Sequence, residues 1–332
     1  MQVEISGFAM FQDSKTVGSV LLPWVMWVLM LPASPLSAQS VSVVPVNIFG
    51  DGNPLNGVED SREQVITERR GGGNPQDRRL NAGTINCDGK FRGTAMVVDS
   101  REFAPDLEGV VLVSAAHVLY KLKKRRLFRR CKFHFMGRDK DSGYGSRIDL
   151  KATLMGDFDP GQASHIFAFG EGDWVFLYLR KPWRKFNPDQ SLRLREFSFV
   201  QSDSYRQSGG EFRLVAYDSS SGHISESRDC VVVKSRRGDL GGGTWEGQLL
   251  DDCDSADGAS GGGIIAVLNQ EYYLIGIRNG SHWSELAYPA AGYPAGPPDG
   301  SVWDRRLNTN FGRAIDKKLL IKLNQFIQLY RP

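Results

Sequence analysis

Three short segments carry side chains whose types and order could do nucleophilic chemistry. Gly258-Ala259-Ser260-Gly261-Gly262-Gly263 holds a serine in a glycine turn, which leaves its Oγ accessible and lets backbone amides approach a substrate. Upstream lie Val113-Ser114-Ala115-Ala116-His117-Val118-Leu119 and Gly172-Asp173-Trp174-Val175-Phe176-Leu177-Tyr178-Leu179. A serine hydroxyl is a weak nucleophile near neutral pH and needs a base within hydrogen-bond reach. Histidine suits that task, and a carboxylate fixes its tautomer and stabilises the imidazolium. Ser260, His117 and Asp173 are the candidates for these roles, with the Gly258 and Ser260 amides as donors to an oxyanion.

Taken singly, each residue also fits a structural role. Order supplies the specificity. Gly-x-Ser-x-Gly also occurs in α/β-hydrolases, where the serine precedes the acid and the histidine. Here the only histidine after Ser260 is His282, 22 residues on, which leaves no room for the remaining strands and helices of such a fold. The order His117, Asp173, Ser260, each beside an apolar run, excludes that arrangement.

The elements that must hold these residues read as β-strands. Short apolar runs bounded by turn residues recur at 93–98, 109–114, 174–179, 212–216, 230–233, 263–267 and 272–277. They do not alternate with ten-residue helices, which argues against a parallel α/β sheet. One helix is expected over 314–329, with Ile315, Leu319, Leu320, Leu323, Phe326 and Ile327 on one face. The Pro-containing segment 181–190 reads as the connection between two β units, and the Pro/Gly-rich stretch 288–300 as an inserted surface loop.

The chain has 332 residues, 41% hydrophobic and 24% charged, enough for a sizeable core. Its 41 basic and 38 acidic residues leave a net charge of +3, so nucleic acid is not an expected partner. Lys15 and the apolar run 17–31, followed by small residues to Ala38, read as a secretory signal over 1–38, with no membrane insertion after its removal. Residues 39–80, with the dibasic pairs Arg69-Arg70 and Arg78-Arg79, read as a leader or propeptide-like segment. Cys87, Cys131, Cys230 and Cys253 lack metal-ligand spacing, so no metal site is expected, and an even count in a secreted chain suggests two disulfides. Of three possible pairings, Cys87–Cys131 with Cys230–Cys253 keeps each bridge within one half of the chain. The run 121–132 has eight basic residues in twelve and reads as a solvated loop, with anionic surfaces as the functional alternative.

Ser-Ala-Ala-His (114–117), Gly-Asp-Trp-Val-Phe-Leu (172–177) and Asp-Gly-Ala-Ser-Gly-Gly (257–262) together resemble the three catalytic blocks of chymotrypsin-like serine proteases. Residues 57–65 and 274–280 look closest to the bacterial secreted, glutamyl-endopeptidase-like branch. The resemblance implies an all-β fold of two six-stranded antiparallel barrels with a C-terminal helix, here over 81–185 and 186–332. It implies peptide hydrolysis through an acyl-enzyme in a secreted or periplasmic monomer that needs no cofactor and takes a protein or peptide substrate. The alternative is a catalytically silent protease-fold binding protein. Ala259 stands where trypsin-type zymogens carry an Asp that pairs with a new N-terminus, so activation by that ion pair is not expected. Asp254 and Ser255 stand where trypsin has its pocket residues, which implies cleavage after basic residues. Arg278 and Gly280 fall on the substrate-lining strand. Arg278 has three readings: a selector of acidic side chains, a partner of Asp254, or a hydrogen-bond donor near Asp173.

Overall fold

The computed structural model describes residues 62–64, 82–135, 145–161, 170–180, 191–199, 205, 209–236, 239, 247–283, 290 and 301–332. The expected signal segment, the dibasic pairs, the connection 181–190 and nearly all of the loop 288–300 lie outside them.

The strands, in chain order, are β1 (Arg62–Gln64), β2 (Ala82–Cys87), β3 (Lys90–Val98), β4 (Val110–Ser114), β5 (Tyr120–Lys121), β6 (Arg126–Leu127), β7 (Cys131–Phe135), β8 (Ser146–Ile148), β9 (Thr153–Met155) and β10 (Val175–Leu179). They continue with β11 (Arg193–Leu194), β12 (Glu211–Asp218), β13 (His223–Cys230), β14 (Val232–Lys234), β15 (Gln248–Asp251), β16 (Gly263–Leu268), β17 (Glu271–Trp283) and β18 (Asn308–Ala314), and the chain closes with α1 (Lys317–Gln328). Two curled sheets result. The first has the order β8-β7-β2-β3-β4-β10-β9. The second runs β1-β13-β12-β16-β17-β18-β15-β14, with β11 joining β17 in parallel. Every other pairing is antiparallel. This is the chymotrypsin-like double-barrel architecture: all-β, with one C-terminal helix.

Period-2 alternation explains why β3, β4 and β10 read as unbroken apolar runs. Val97, Leu112, Val175 and Leu177 fill the interior of the first sheet. Met96, Val111, Val113 and Phe176 point to the opposite face, which is covered by α1 and by Ile265, Leu274 and Ile277 of the second sheet. With both faces buried, these strands are mostly apolar, and the buried polar residues they carry are hydrogen-bonded, as where Ser114 Oγ donates to the Thr94 carbonyl. The 230–233 run is a junction rather than one strand: β13 ends at Cys230 and β14 starts at Val232.

The helix begins later than its apolar spacing suggests. Ala314 stays in β18, and Asp316 caps the first turn by accepting from the Leu319 amide at 2.8 Å. Leu319, Leu323, Phe326 and Ile327 are buried, while Leu320 packs at the margin. The Phe326 ring lies 6.0 Å from Phe176 of β10. Each such buried side chain contributes about 1.5–3 kcal/mol, so α1 braces the outer face of the strand that begins just after Asp173. Disulfides join Cys87 to Cys131 and Cys230 to Cys253. No helix among the described residues is long and apolar enough to cross a membrane.

Candidate active site

Pairing of β4 with β10 brings His117 to Asp173. The two strands are antiparallel with Ser114 opposite Val175, so the chain leaving β4 and the chain entering β10 meet at one end. A turn of 3-10 helix over Ala116–Leu119 presents His117 there. Asp173 sits in a turn whose amide bonds the Gly170 carbonyl at 3.1 Å. Its carboxylate is fully buried. It accepts the His117 backbone amide at 2.9 Å through Oδ1 and faces His117 Nδ1 at 2.7 Å through Oδ2. Donation from Nδ1–H fixes the ring orientation and leaves Nε2 as the basic nitrogen. The imidazole itself is 13% exposed, open enough to meet a substrate.

The nucleophile turn comes from the second sheet, between β15 and β16. Its glycines are required by the backbone. Gly258 has φ +96° and Gly261 φ +83°, and a β-carbon on Gly261 would collide with the Thr94 carbonyl and Ser114 Oγ. That close approach docks the turn against the first sheet. The Thr94 amide donates to the Ser260 carbonyl at 2.8 Å, and a β-carbon on Gly93 would meet both that carbonyl and Val118, each at 2.7 Å. Ser260 is thus set against residues on either side of His117. The Gly261 amide donates to the Arg278 carbonyl at 2.7 Å, and the Arg278 amide to the Gly262 carbonyl at 2.8 Å, tying the turn to β17. The Ser260 hydroxyl donates to the Asn279 carbonyl at 3.3 Å.

Two backbone amides of this turn stay unused. Neither Gly258 N–H nor Ser260 N–H has an acceptor among the described residues. The Asp257 carbonyl, which could have turned inward to fill that space, accepts from the Ser219 amide instead, at 3.1 Å. Thr94 holds the arrangement from the first sheet. Its hydroxyl donates to the Gly258 carbonyl at 2.8 Å and accepts the Tyr217 amide at 2.9 Å. Its carbonyl accepts from Ser114 Oγ at 2.7 Å.

The pocket candidates fall in different places. Asp254 and Ser255 are buried beside the Cys230–Cys253 bridge, and the Asp254 amide donates to Ser227 Oγ at 2.9 Å. Gly280 lies on β17 opposite Phe311. Arg278 is 1% exposed, and its guanidinium donates to Asp251 at 2.6 Å, the last residue of β15. Burial pushes the Asp251 carboxyl up from its ordinary range, and the Arg278 charge pulls the other way. Its neighbour Asp252 is raised to about 6, chiefly by burial. Among the described residues no group of three His, Cys, Asp or Glu side chains is placed to hold a metal ion.

Sequence reasoning passed over Thr94, Asp251 and Asn279. Asn279 donates through Nδ2 to the Asp173 carbonyl at 3.2 Å, so it braces the acid from the second sheet. Its position beside Arg278, on the strand the resemblance marks as substrate-lining, was the available signal. Thr94 offered none, since its role depends on a contact 164 residues away.

The two sheets and the closing helix give the chain the chymotrypsin-like serine-protease fold. No protein-family model matches the chain, and no curated protein matches it. Among solved structures it is similar to one described as the structure of Glu endopeptidase in complex with MPD, at 12% identity and a TM-score of 0.47, over 82% of this chain and 97% of that one.

Proposed function

We propose that the protein is a secreted or periplasmic serine endopeptidase that works through an acyl-enzyme. One observation carries this reading: a buried carboxylate holds His117 by both its ring and its amide, next to a serine turn two of whose amides lack acceptors among the described residues. In the proposed reaction His117 Nε2 takes the Ser260 proton as Oγ attacks the peptide carbonyl. The oxyanion is received by the Gly258 and Ser260 amides. His117 then gives the proton to the leaving amine, and water, deprotonated by the same nitrogen, releases the acid and regenerates Ser260. Asp173 orients the ring through its contact with Nδ1.

Cleavage after basic residues is the preference we propose, with Asp254 as the selecting carboxylate. Its position six residues before Ser260 supports this, as does the pairing of Arg278 with Asp251, which occupies the guanidinium on the strand that the resemblance marks as substrate-lining. Similarity to the glutamyl-endopeptidase-like branch at 57–65 and 274–280 is thus proposed as kinship without shared preference. The two disulfides fit an oxidising compartment, and the proposed working form is a monomer. A second reading, a fold that binds peptides without turnover, draws on the Ser260 hydroxyl, which donates to Asn279.

Fluorophosphonate labelling decides between them. The endopeptidase reading expects labelling of the wild-type chain, none in Ser260→Ala, and casein turnover lost in His117→Ala. Labelling that persists in Ser260→Ala would sink the assignment.

A further inference from the structure

We propose that the cationic hairpin 120–130 is a docking surface for acidic stretches of the polypeptide being cut. The proposal rests on the endopeptidase reading and extends it to substrate choice.

The hairpin starts three residues after His117. β5 pairs with β6, a 3-10 turn over Leu122–Lys124 joins them, and Arg125 closes it in the left-handed region at φ +48°. Its apolar side is anchored. Phe128 is buried, its amide donates to the Leu119 carbonyl at 2.9 Å, and the Arg92 guanidinium lies 4.3 Å over its ring. The cations face outward: Lys123, Lys124, Arg125, Arg126, Arg129 and Arg130 are all exposed. None has a carboxylate partner among the described residues. Some exposed cations elsewhere do have carboxylate partners, as in Arg101–Asp99 and Arg331–Asp106, whereas here six cations that lack one among the described residues fall within eight residues. Asp88, an acid beside the hairpin, is already taken by Lys121 and by the Arg130 amide.

Register sharpens the point. Lys121 stands directly opposite Arg126, and on the adjoining strands Lys132 stands opposite Arg147. Like charges paired across strands are destabilising, and a chain with a net charge of only +3 has acids enough to avoid them. A solvated loop gains nothing from such pairs; an anion receptor does.

Position selects the partner. Lys123 is six residues from His117, so it lies within about 20 Å of the catalytic base. Tyr120 and His117 both pack on the Phe158 ring, at 5.3 and 6.2 Å, which fixes the root of the hairpin to the site. An extended polypeptide rises about 3.3 Å per residue, and would reach these cations roughly six residues from the scissile bond. Aspartate and glutamate side chains suit arginine forks at that distance.

The test uses full-length protein and peptides that share one cleavage sequence, with a hexaglutamate or a hexaserine tail set six residues away on either side. We expect kcat/KM to favour a glutamate-tailed peptide by about tenfold at low salt, as several surface pairs together allow. The preference should vanish at 1 M salt, where screening acts within about 3 Å. It should also vanish in K123Q/K124Q/R125Q/R126Q, with unchanged circular dichroism as the folding control. In parallel, fluorescence anisotropy of labelled hexaglutamate peptide on Ser260→Ala should show salt-sensitive binding that the quadruple substitution removes. Equal cutting of both tails together with no anisotropy change overturns the proposal, as does binding to anionic phospholipid vesicles or heparin without binding to the peptide. If no peptide is cut and Ser260 resists labelling, the endopeptidase reading fails, and the anisotropy arm still decides the docking surface on its own.

Discussion

Thr94 shows how much of this site depends on a residue that does no chemistry. Four of its polar contacts converge on the nucleophile turn and its surroundings, and it is fully buried. The peptide groups it holds, around Gly258 and Ser260, carry the amides that would receive the oxyanion. Replacing Thr94 by Val keeps the shape and the backbone bond to Ser260, but removes the hydroxyl. The Gly258 carbonyl and the Tyr217 amide are then left partly buried without that partner, a penalty toward the lower end of about 1–3 kcal/mol. The turn can relieve it only by shifting the two donors. We therefore expect Thr94→Val to lower kcat roughly 10- to 100-fold, below the about 10²–10³ seen when an oxyanion donor is lost outright. KM should change little, because the ground-state substrate does not depend on those donors. Thr94→Ser keeps the hydroxyl and should recover most of the rate. Steady-state kinetics on a chromogenic peptide checks this, and an unchanged kcat in Thr94→Val refutes it.

At the scale of elements, the informative pair is β15 with β17. They do not touch in the ladder; both flank β18, and that shared neighbour brings Asp251 under Arg278. Removing one partner of a buried ion pair leaves a charge without compensation, at a cost of about 3–5 kcal/mol. Arg278→Ala should lose that much in chemical denaturation. Arg278→Met combined with Asp251→Leu should recover most of it, because well-packed apolar replacements often match a buried pair. The double variant should also keep the wild-type cleavage preference, whereas a preference that moves with Arg278 would restore it as a pocket residue. This partnership also shows where sequence reading stops. Strands β4, β10 and β16 are legible because burial on both faces writes an apolar run into the chain. Helix α1 is legible because four buried side chains recur at spacings of 3 and 4. Arg278 and Asp251 are 27 residues apart, and only the register of a third strand joins them. The two-residue strands β5 and β6 are hidden for another reason: they lie in a run of charge with no alternation to read.

For the whole molecule, the order His117, Asp173, Ser260 places two residues on the first sheet and one on the second, and the site exists only where the sheets meet. Legible in the sequence were the residue types and their order. What the chain could not spell out is the contact between sheets, made by Gly93, Thr94, Ser114 and Gly261, since it arises from two backbones approaching too closely for a side chain. The second sheet, in turn, holds two groups that oppose each other as pH falls. His282 on β17 is lowered to about 4 by burial. Between pH 4 and 6.5 the unfolded chain protonates this imidazole and the folded chain does not, so its contribution to stability is complete above pH 6.5 and is lost toward pH 4. Asp252 has the reverse sign. Raised to about 6, it is protonated in the folded chain while an unfolded carboxyl is ionised, so it favours folding increasingly as pH falls from 6 toward 3.8. Each shift is worth about 3 kcal/mol at most, so the two largely offset across one window. His282→Gln should therefore lose less Tm than wild type between pH 7 and 4.5, and Asp252→Asn should lose more. A difference of about 2 kcal/mol corresponds to several degrees in a chain of this size. Scanning calorimetry at the two pH values provides the comparison. Equal losses in all three proteins would mean that neither group carries the acid response, and a larger loss in His282→Gln would mean that the imidazole is charged in the folded state.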